Sequence, residues 1–360
     1  MRLGIIGLPN SGKTTIFNAL TGQNLSTAAV SSGQFEVHTA TVDVPDPRLD
    51  ALSALFKPKK TTHATIIYAD IAGLDKGISA GGLQGQFRNQ LSQVDGFLHV
   101  VRAFDDETVP HPYVDVDPAR DLEIIDGEFL LEDMATVERR LEKIADEIRI
   151  KGKKVEAQHA EEVGLLQRIQ AHLEEEKPLR DFDLTPEQAK NLRGFGFLSL
   201  KPILVVVNTG DDAPQAAAEL TYDHRHSAIV GLQGKLEAEI AQLDDPDDVA
   251  MFMEEYGITE LSRAKVIRLS YELMNIQSFF TVGEDECRAW SVRIGATAPE
   301  AAGTIHSDLQ KGFIRAEVMQ YQDLLDAGSE AEVKKQGKMQ LQGKDYIVKD
   351  GDIVHIRFNV

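Results

Sequence analysis

Apolar positions along this chain change period three times, and each change marks a different kind of element. Residues Leu3 to Ile6 form an uninterrupted apolar run, followed by turn residues and then by Ile16, Phe17 and Leu20 at helical spacing. This pattern predicts a buried strand, a loop and a helix. Thr65 to Asp70 and Gly96 to Val101 read as further strands, so the first 118 residues alternate strands with turns and helices, as a parallel βαβ sheet requires. From Leu130 the period becomes steps of four and three through Met134, Val137, Leu141, Ile144 and Ile148, a coiled-coil seam. Val163, Leu166, Ile169 and Leu173 supply a returning stripe, which predicts a helical hairpin turning near Gly152. A helix of about 20 residues is roughly 30 Å long, enough to project from a globular body. After Pro178 and Pro186, the run Pro202 to Val207 is almost wholly apolar and fits a strand covered on both faces, so the hairpin is an insertion in the sheet domain.

Length and charge narrow the picture. A chain of 360 residues exceeds one ordinary core. Residues 276–360 hold 13 acidic and 10 basic side chains, so −17 of the net −20 lies in the first 275. Such an acidic surface opposes sequence-blind binding to a polyanion as a whole. Any RNA contact must be local, and residues 138–154 form a basic island with Arg139, Arg140, Lys143, Arg149, Lys151, Lys153 and Lys154 against four acidic residues. The single cysteine, Cys287, cannot form an intrachain disulfide. With no secretory pattern at the start and no apolar run of membrane-spanning length, the chain reads as a soluble, cytoplasmic protein with no membrane partner.

The chemistry begins at the first loop. Gly7-Leu8-Pro9-Asn10-Ser11-Gly12-Lys13-Thr14 matches G-x-x-x-x-G-K-[ST] between a strand and a helix. Glycines stand where side chains would block phosphate oxygens from backbone N–H groups, and a helix N-terminus follows. Asn10, Ser11, Gly12, Lys13, Thr14 and Thr15 are therefore expected to hold a nucleoside triphosphate. In that geometry Lys13 reaches the β and γ phosphates and Thr14 ligates Mg2+. The next strand ends in Asp70-Ile71-Ala72-Gly73, a D-x-x-G element. Asp70 would hold the Mg2+ shell through water, and the Gly73 N–H would sense the γ phosphate. Gly77, Gly81, Gly82 and Gly85 follow, as suits a segment ordered by the γ phosphate. Leu74 stands where a Ras-type switch carries its water-orienting glutamine. The strand 203–207 runs into Asn208-Thr209-Gly210-Asp211, in register with the guanine-reading N-K-x-D, but Thr209 replaces the lysine that stacks on the base. Asn208 and Asp211 are expected to form the base-reading loop, with its preference open.

Taken with Val44-Pro45-Asp46-Pro47-Arg48-Leu49, Thr297-Ala298-Pro299, Lys311 to Val318 and Lys344 to Asp352, these motifs resemble the YchF subfamily of the Obg-related P-loop NTPases over nearly the whole chain. Independently of that likeness, Thr297 to Glu300 is a capping-box helix start, and Tyr346 to Phe358 reads as strand, Asp-Gly turn, strand. The resemblance implies an α/β fold: a P-loop NTPase domain with a parallel-rich sheet at 1–127 and 196–275, an inserted coiled-coil hairpin at 128–195, and a C-terminal β-grasp TGS domain at 276–360. It further implies slow Mg2+-dependent hydrolysis of ATP with relaxed base choice, association with the large ribosomal subunit and its RNA, and a monomer. His111, in Val109-Pro110-His111-Pro112, matches a mobile-loop histidine that the family resemblance suggests for catalysis, where a neutral imidazole could orient or deprotonate the attacking water. Gln34 falls where the family carries the threonine that completes the Mg2+ shell, with Thr39 and Thr41 further on, and Asp211 replaces its usual glutamate. A nucleotide-sensing scaffold with negligible turnover, or a guanine-preferring GTPase, remains the alternative. A small-molecule kinase fits less well, since nothing resembles an arginine-rich lid.

Overall fold

The computed structural model describes every residue except 27–36, 72–82, 84, 211–215, 244, 257, 259, 260 and 360. Gln34, Gly73, Leu74, Gly77, Gly81, Gly82 and Asp211, named above, lie outside the described residues. The chain divides into two compact units: Met1–Ala40 with Ile67–Val266, and Thr41–Ile66 with Ile267–Val360.

In the first unit, β1 (Arg2–Ile6) runs parallel between β4 (Thr65–Ile71) and β5 (Gly96–Ala103). β5 continues in parallel to β6 (Ile203–Thr209), and β6 to β7 (Ser227–Leu232). With β2 (Val37–Asp43) the order is β2-β4-β1-β5-β6-β7. Every residue of β6 is buried, which is why its sequence is an unbroken apolar run rather than an alternating one. Helix α1 (Lys13–Thr21) buries Ile16, Phe17 and Leu20, the three positions its periodicity names.

The inserted hairpin consists of a 34-residue helix, Pro118–Lys151, and a 22-residue helix, Lys153–Glu174. Gly152, with φ +78, makes the turn between them, a conformation that costs a residue without Cβ little. Val137 and Ile144 are buried against Leu166, Ile169 and Leu173, with Leu130, Met134, Leu141, Ile148 and Val163 packed around them, so the two stripes form one seam. The long helix also serves the sheet: its Ile125 and Phe129 join the core of Ile6, Ile71, Leu91 and Phe97, the Phe97 and Phe129 rings 4.9 Å apart. Asp133, fully buried on the same helix, accepts from Leu198 N–H and Ser199 N–H at 2.8 Å and from the Ser199 hydroxyl at 2.6 Å. Burial pushes its carboxyl up to about 6.

The second unit is a sheet of order β11-β10-β12-β8-β9-β3. Its strands are β3 (Lys60–Thr62), β8 (Ile276–Thr281), β9 (Glu286–Arg293), β10 (Phe313–Gln320), β11 (Gln340–Gln342) and β12 (Asp352–Phe358). The last long strand, β12, pairs in parallel with β8, and the helix Ala298–Ile305 buries Ala298, Ala301 and Ala302 in the core with Phe279 and Phe313, a β-grasp arrangement. Alanine at these three positions lets the helix approach closely. Glu300 closes the predicted capping box, accepting from the Thr297 N–H at 2.7 Å.

Two sequence expectations meet a different arrangement here. Residues 41–66, grouped above with 1–127, pack in the second unit: β3 pairs in parallel with β9, and Arg48 in helix α2 (Pro47–Phe56) donates to Asp350 at 2.6 Å and to its own N-cap Asp46 at 2.9 Å. A short strand's pattern says which residues face a core but not which sheet it joins. The strand expected at Tyr346 is not formed, and the segment makes a single bridge between Thr297 and Ile347. Its carbonyls and N–H groups are turned to other uses: Tyr346 C=O accepts from Ala298, Val348 N–H donates to Ala296, and Asp352 holds the Tyr346 hydroxyl at 2.7 Å.

Candidate functional site

The phosphate loop is built on backbone conformations that side chains would spoil. Asn10 has φ +60 and Gly12 φ +93, and the latter hands the chain into α1, whose first bond is Ile16 N–H to Gly12 C=O at 2.9 Å. A Cβ on Gly7 would overlap the Val100 carbonyl, and one on Gly12 the Asn208 side-chain amide. Lys13 lies folded over the loop, its ammonium donating to Gly7 C=O at 3.0 Å and Leu8 C=O at 2.8 Å. Two backbone acceptors thus hold the charge at the loop.

Thr14 and Asp70 meet at the loop's mouth. The Thr14 hydroxyl donates to Asp70 Oδ2 at 2.8 Å, while Asp70 Oδ1 is buried without a hydrogen-bond partner. Burial pushes the Asp70 carboxyl up, and the Thr14 hydrogen bond and the Lys13 charge oppose it. A buried carboxylate oxygen with no donor, beside a threonine hydroxyl, is a donor set that suits Mg2+, which takes one or two protein oxygens and fills its octahedron with water and phosphate. Thr15 follows in the first turn of α1, and Ser11, buried, donates its N–H to Leu8 C=O. Thr39 and Thr41, the alternatives to Gln34 for the Mg2+ shell, are exposed residues of β2.

Asn208 does more than sequence spacing implies. Its Nδ2 donates to Ser11 C=O at 3.0 Å and its Oδ1 accepts from Gly234 N–H at 3.2 Å, so the amide stitches the phosphate loop to the start of the helix Gly234–Ile240. A Cβ at Gly234 would overlap the Asn208 carboxamide, which explains glycine there. Phe104 packs beside Gly210 in the same loop region. Neither Gly234 nor Phe104 carries a signal in the sequence, since their roles arise only when three loops converge.

The loop after β5, residues 104–117, forms the other wall. Arg102, 2 % exposed, donates to Phe104 C=O at 2.9 Å and Val109 C=O at 2.8 Å and lies 4.4 Å from the centre of the Phe104 ring. Asn10 Nδ2 reaches across to Pro110 C=O at 2.9 Å, so phosphate loop and neighbouring loop are tied directly. His111 follows, its ring turned inward: Nε2 lies 2.8 Å from Asp121 Oδ2, and Nδ1 accepts from Tyr113 N–H at 3.1 Å. In this arrangement both ring nitrogens are occupied. Arg102 and Asp121 escaped the sequence reading because a lone arginine at a strand end and an aspartate in a helix's first turn are ordinary features.

Beneath the loops, His99 on β5 is fully buried with neither nitrogen hydrogen bonded. Burial, with the nearby Lys13 and Arg180 charges, holds its imidazole down to about 3. At the hairpin's far end Arg149 pairs with Asp146 at 2.9 Å and Lys151 with Glu147 at 4.0 Å, exposed pairs of little strength, and between them Ile150 is 77 % exposed. Lys143 is exposed, Arg139 donates to Glu132, and Arg140 is held by Glu162; the side chains of Lys153 and Lys154 lie outside the described residues. No helix among the described residues is long and apolar enough to cross a membrane.

Comparison with known proteins matches the chain to two family models: residues 2–125 to one described as a 50S ribosome-binding GTPase, and residues 276–359 to the YchF-GTPase C-terminal model, described as a protein of unknown function. The chain is 40 % identical to the ribosome-binding ATPase YchF of Bacillus subtilis over 99 % of both chains. It is 40 % identical to the ribosome-binding ATPase YchF of Escherichia coli O157:H7 over 100 % of this chain and 99 % of that one. The YchF GTPase structure from Schizosaccharomyces pombe superposes with a TM-score of 0.84 at 32 % identity, covering 99 % of this chain and 97 % of that one.

Proposed function

Because the chain belongs to the YchF family of P-loop NTPases, we propose that it is a ribosome-associated ATPase that binds Mg2+ with the nucleotide and hydrolyses the β–γ phosphoanhydride slowly. The observation that carries this reading is the Thr14 hydroxyl beside a buried Asp70 carboxylate with one unpartnered oxygen, at the mouth of the phosphate loop. Bound Mg2+ would neutralise charge developing on the phosphates. Thr14 would ligate it and Asp70 would hold it through water. Lys13 would reach the β and γ phosphates from its seat on Gly7 and Leu8, and the N–H groups of Asn10 to Thr15 would cradle the chain of phosphates. Gly73 would sense the γ phosphate, Asp211 would face the base from the loop that Asn208 anchors, and His111 would orient the attacking water. ATP is favoured because Thr209 cannot stack along a base as a lysine stem does, and because two relatives are named ATPases. GTP remains the second substrate, since Asp211 can accept from both donors on the guanine edge.

The ribosome would be met at the hairpin tip, where Arg149, Ile150 and Lys151 are exposed, and by the less acidic C-terminal unit; its large subunit and RNA are the expected partners of a cytoplasmic monomer. The reading of a scaffold with negligible turnover draws on one observation, a His111 ring with both nitrogens engaged. Side-by-side binding and turnover of Mg-ATP and Mg-GTP, with and without ribosomes, separates these readings. We expect tighter ATP binding, turnover raised by ribosomes, and loss of both nucleotides in a folded Lys13→Ala protein. Neutralising Arg149, Lys151, Lys153 and Lys154 together should weaken ribosome co-sedimentation and lower its salt slope by nearly one for each phosphate no longer neutralised. Unchanged ATP affinity in Lys13→Ala, or wild-type sedimentation of the quadruple variant at every salt concentration, would remove the corresponding part of the proposal.

A further inference from the structure

Asp121 sits in the first turn of the helix Pro118–Lys151, behind the Asp117 N-cap and the Pro118 that starts it. Its side chain and that of His111 are each 2 % exposed, and they face one another at 2.8 Å. The other Asp121 oxygen accepts from Arg120 at 2.9 Å, and Arg120 in turn lies 5.2 Å from the Tyr113 ring. Because His111 Nδ1 accepts the Tyr113 N–H, that nitrogen carries no proton. The ring is therefore neutral, its one proton is on Nε2, and that proton is donated to Asp121. An imidazole held this way has no lone pair to offer a water molecule.

The loop holding the ring is also under backbone strain. Val114 has φ +73, a conformation that a β-branched residue strongly avoids, and its side chain is 92 % exposed, so no packing offsets the cost. Such strain persists only where neighbouring contacts over-determine it. Here the contacts are Val114 N–H to His111 C=O, Asp115 N–H to Tyr113 C=O, and the buried pair of His111 with Asp121. On the nucleotide side the loop is seated on Asn10 through Pro110 C=O, one residue before His111.

We propose that Asp121 is a positioning residue that parks His111 in the resting protein, and that breaking this pair frees the ring for hydrolysis. The inference rests on the reading of the chain as an NTPase in which His111 orients water. In the gated step a water oxygen bonds to the γ phosphorus and the bond to the β–γ bridging oxygen breaks, its electron pair leaving on ADP. Of the two water protons, one ends on inorganic phosphate and one in solvent. The released ring contributes the lone pair that orients the water.

The test compares wild type, Asp121→Ala, the near-isosteric Asp121→Asn, His111→Ala and the double variant, all full-length and without ribosomes, by Mg-ATP turnover and by 15N NMR of the His111 ring. Asp121→Ala should raise kcat several-fold with KM little changed, Asp121→Asn should fall between because its amide oxygen still accepts, and the double variant should drop to the His111→Ala level. A merely structural aspartate would give the opposite sign. The ring spectrum should report a pure Nε2–H tautomer in wild type and a mixture in Asp121→Ala, whether or not turnover is measurable. If wild type binds ATP without hydrolysing it, the hydrolase reading fails and the ring spectrum alone still decides the latch. A folded Asp121→Ala or Asp121→Asn protein with unchanged or reduced kcat, or a wild-type ring without the Nε2–H tautomer, overturns the proposal.

Discussion

Two loops touch through Asn10 and Pro110, and they are held in place by opposite means. The phosphate loop is shaped by its own backbone: left-handed φ at Asn10 and Gly12, bare glycines at close approaches, and a helix that begins at Lys13. The 104–117 loop is shaped by side chains from elsewhere, with Arg102 on its carbonyls, Asn10 on Pro110 and Asp121 on His111. The first loop takes one outside bond as well, from the Asn208 amide to Ser11 C=O, but its course is set by its own backbone conformation. The second has internal bonds at Val109, Val114 and Asp115 as well, but its arginine-held carbonyls and its buried histidine depend on side chains outside it.

The contrast between the loops breaks most visibly at Gly12. Replacing it by alanine forces a Cβ onto the Asn208 amide in a left-handed backbone, and strain plus the disruption of a buried hydrogen bond come to about 3 kcal/mol, about a hundredfold in nucleotide affinity. Calorimetric titration with ATP would measure this, and near-wild-type affinity would show that the loop adapts more than its geometry suggests. Arg102→Met is the reciprocal probe. It strands the Phe104 and Val109 carbonyls, costing about 1–3 kcal/mol for each left unpaired, so the protein should melt at lower temperature while ATP affinity changes little. A variant that melts as wild type does, or that loses ATP as severely as Gly12→Ala, would erase the distinction between the loops.

The smallest effect at neutral pH is expected from His99→Phe, on the strand that also carries Arg102. His99 titrates near 3 in the fold against 6.5 unfolded, so the unfolded chain binds the extra proton between these values. Stability from this site is present above 6.5 and is lost as pH falls toward 3, by at most roughly 5 kcal/mol. Asp133 works in the other direction: titrating near 6 in the fold against 3.8 unfolded, it favours the folded state at low pH and loses that contribution as pH rises from 3.8 to 6. The two slopes oppose each other between pH 4 and 6. Phenylalanine sacrifices no hydrogen bond at this position, so urea unfolding of His99→Phe should match or exceed wild type at pH 7 and hold up better at pH 4.5. A parallel acid limb in both proteins would rule out His99 as a source of the acid sensitivity.

What could be read from the chain alone follows the same division. The Gly7 to Thr14 loop, the apolar run of β6, the hairpin seam from Leu130 to Ile148 and its Gly152 turn are local patterns, because each is set by conformational sterics or by the burial of residues a few positions apart. Those patterns determined that the chain holds a parallel-sheet phosphate-binding domain with a helical insertion, while the C-terminal module was legible only through its resemblance to a known family. Only the tertiary structure decided where Thr41–Ile66 pack, that Arg48 and Asp350 meet although 302 residues separate them, that Asn208 fastens Ser11 to Gly234, and that His111 faces Asp121 rather than open solvent. These pairings depend on which buried donor finds which acceptor once distant segments converge. Single arginines, aspartates and asparagines have no periodicity to announce that choice, whereas a glycine forced into a left-handed turn, or a stripe forced into a core, writes its reason into its nearest neighbours.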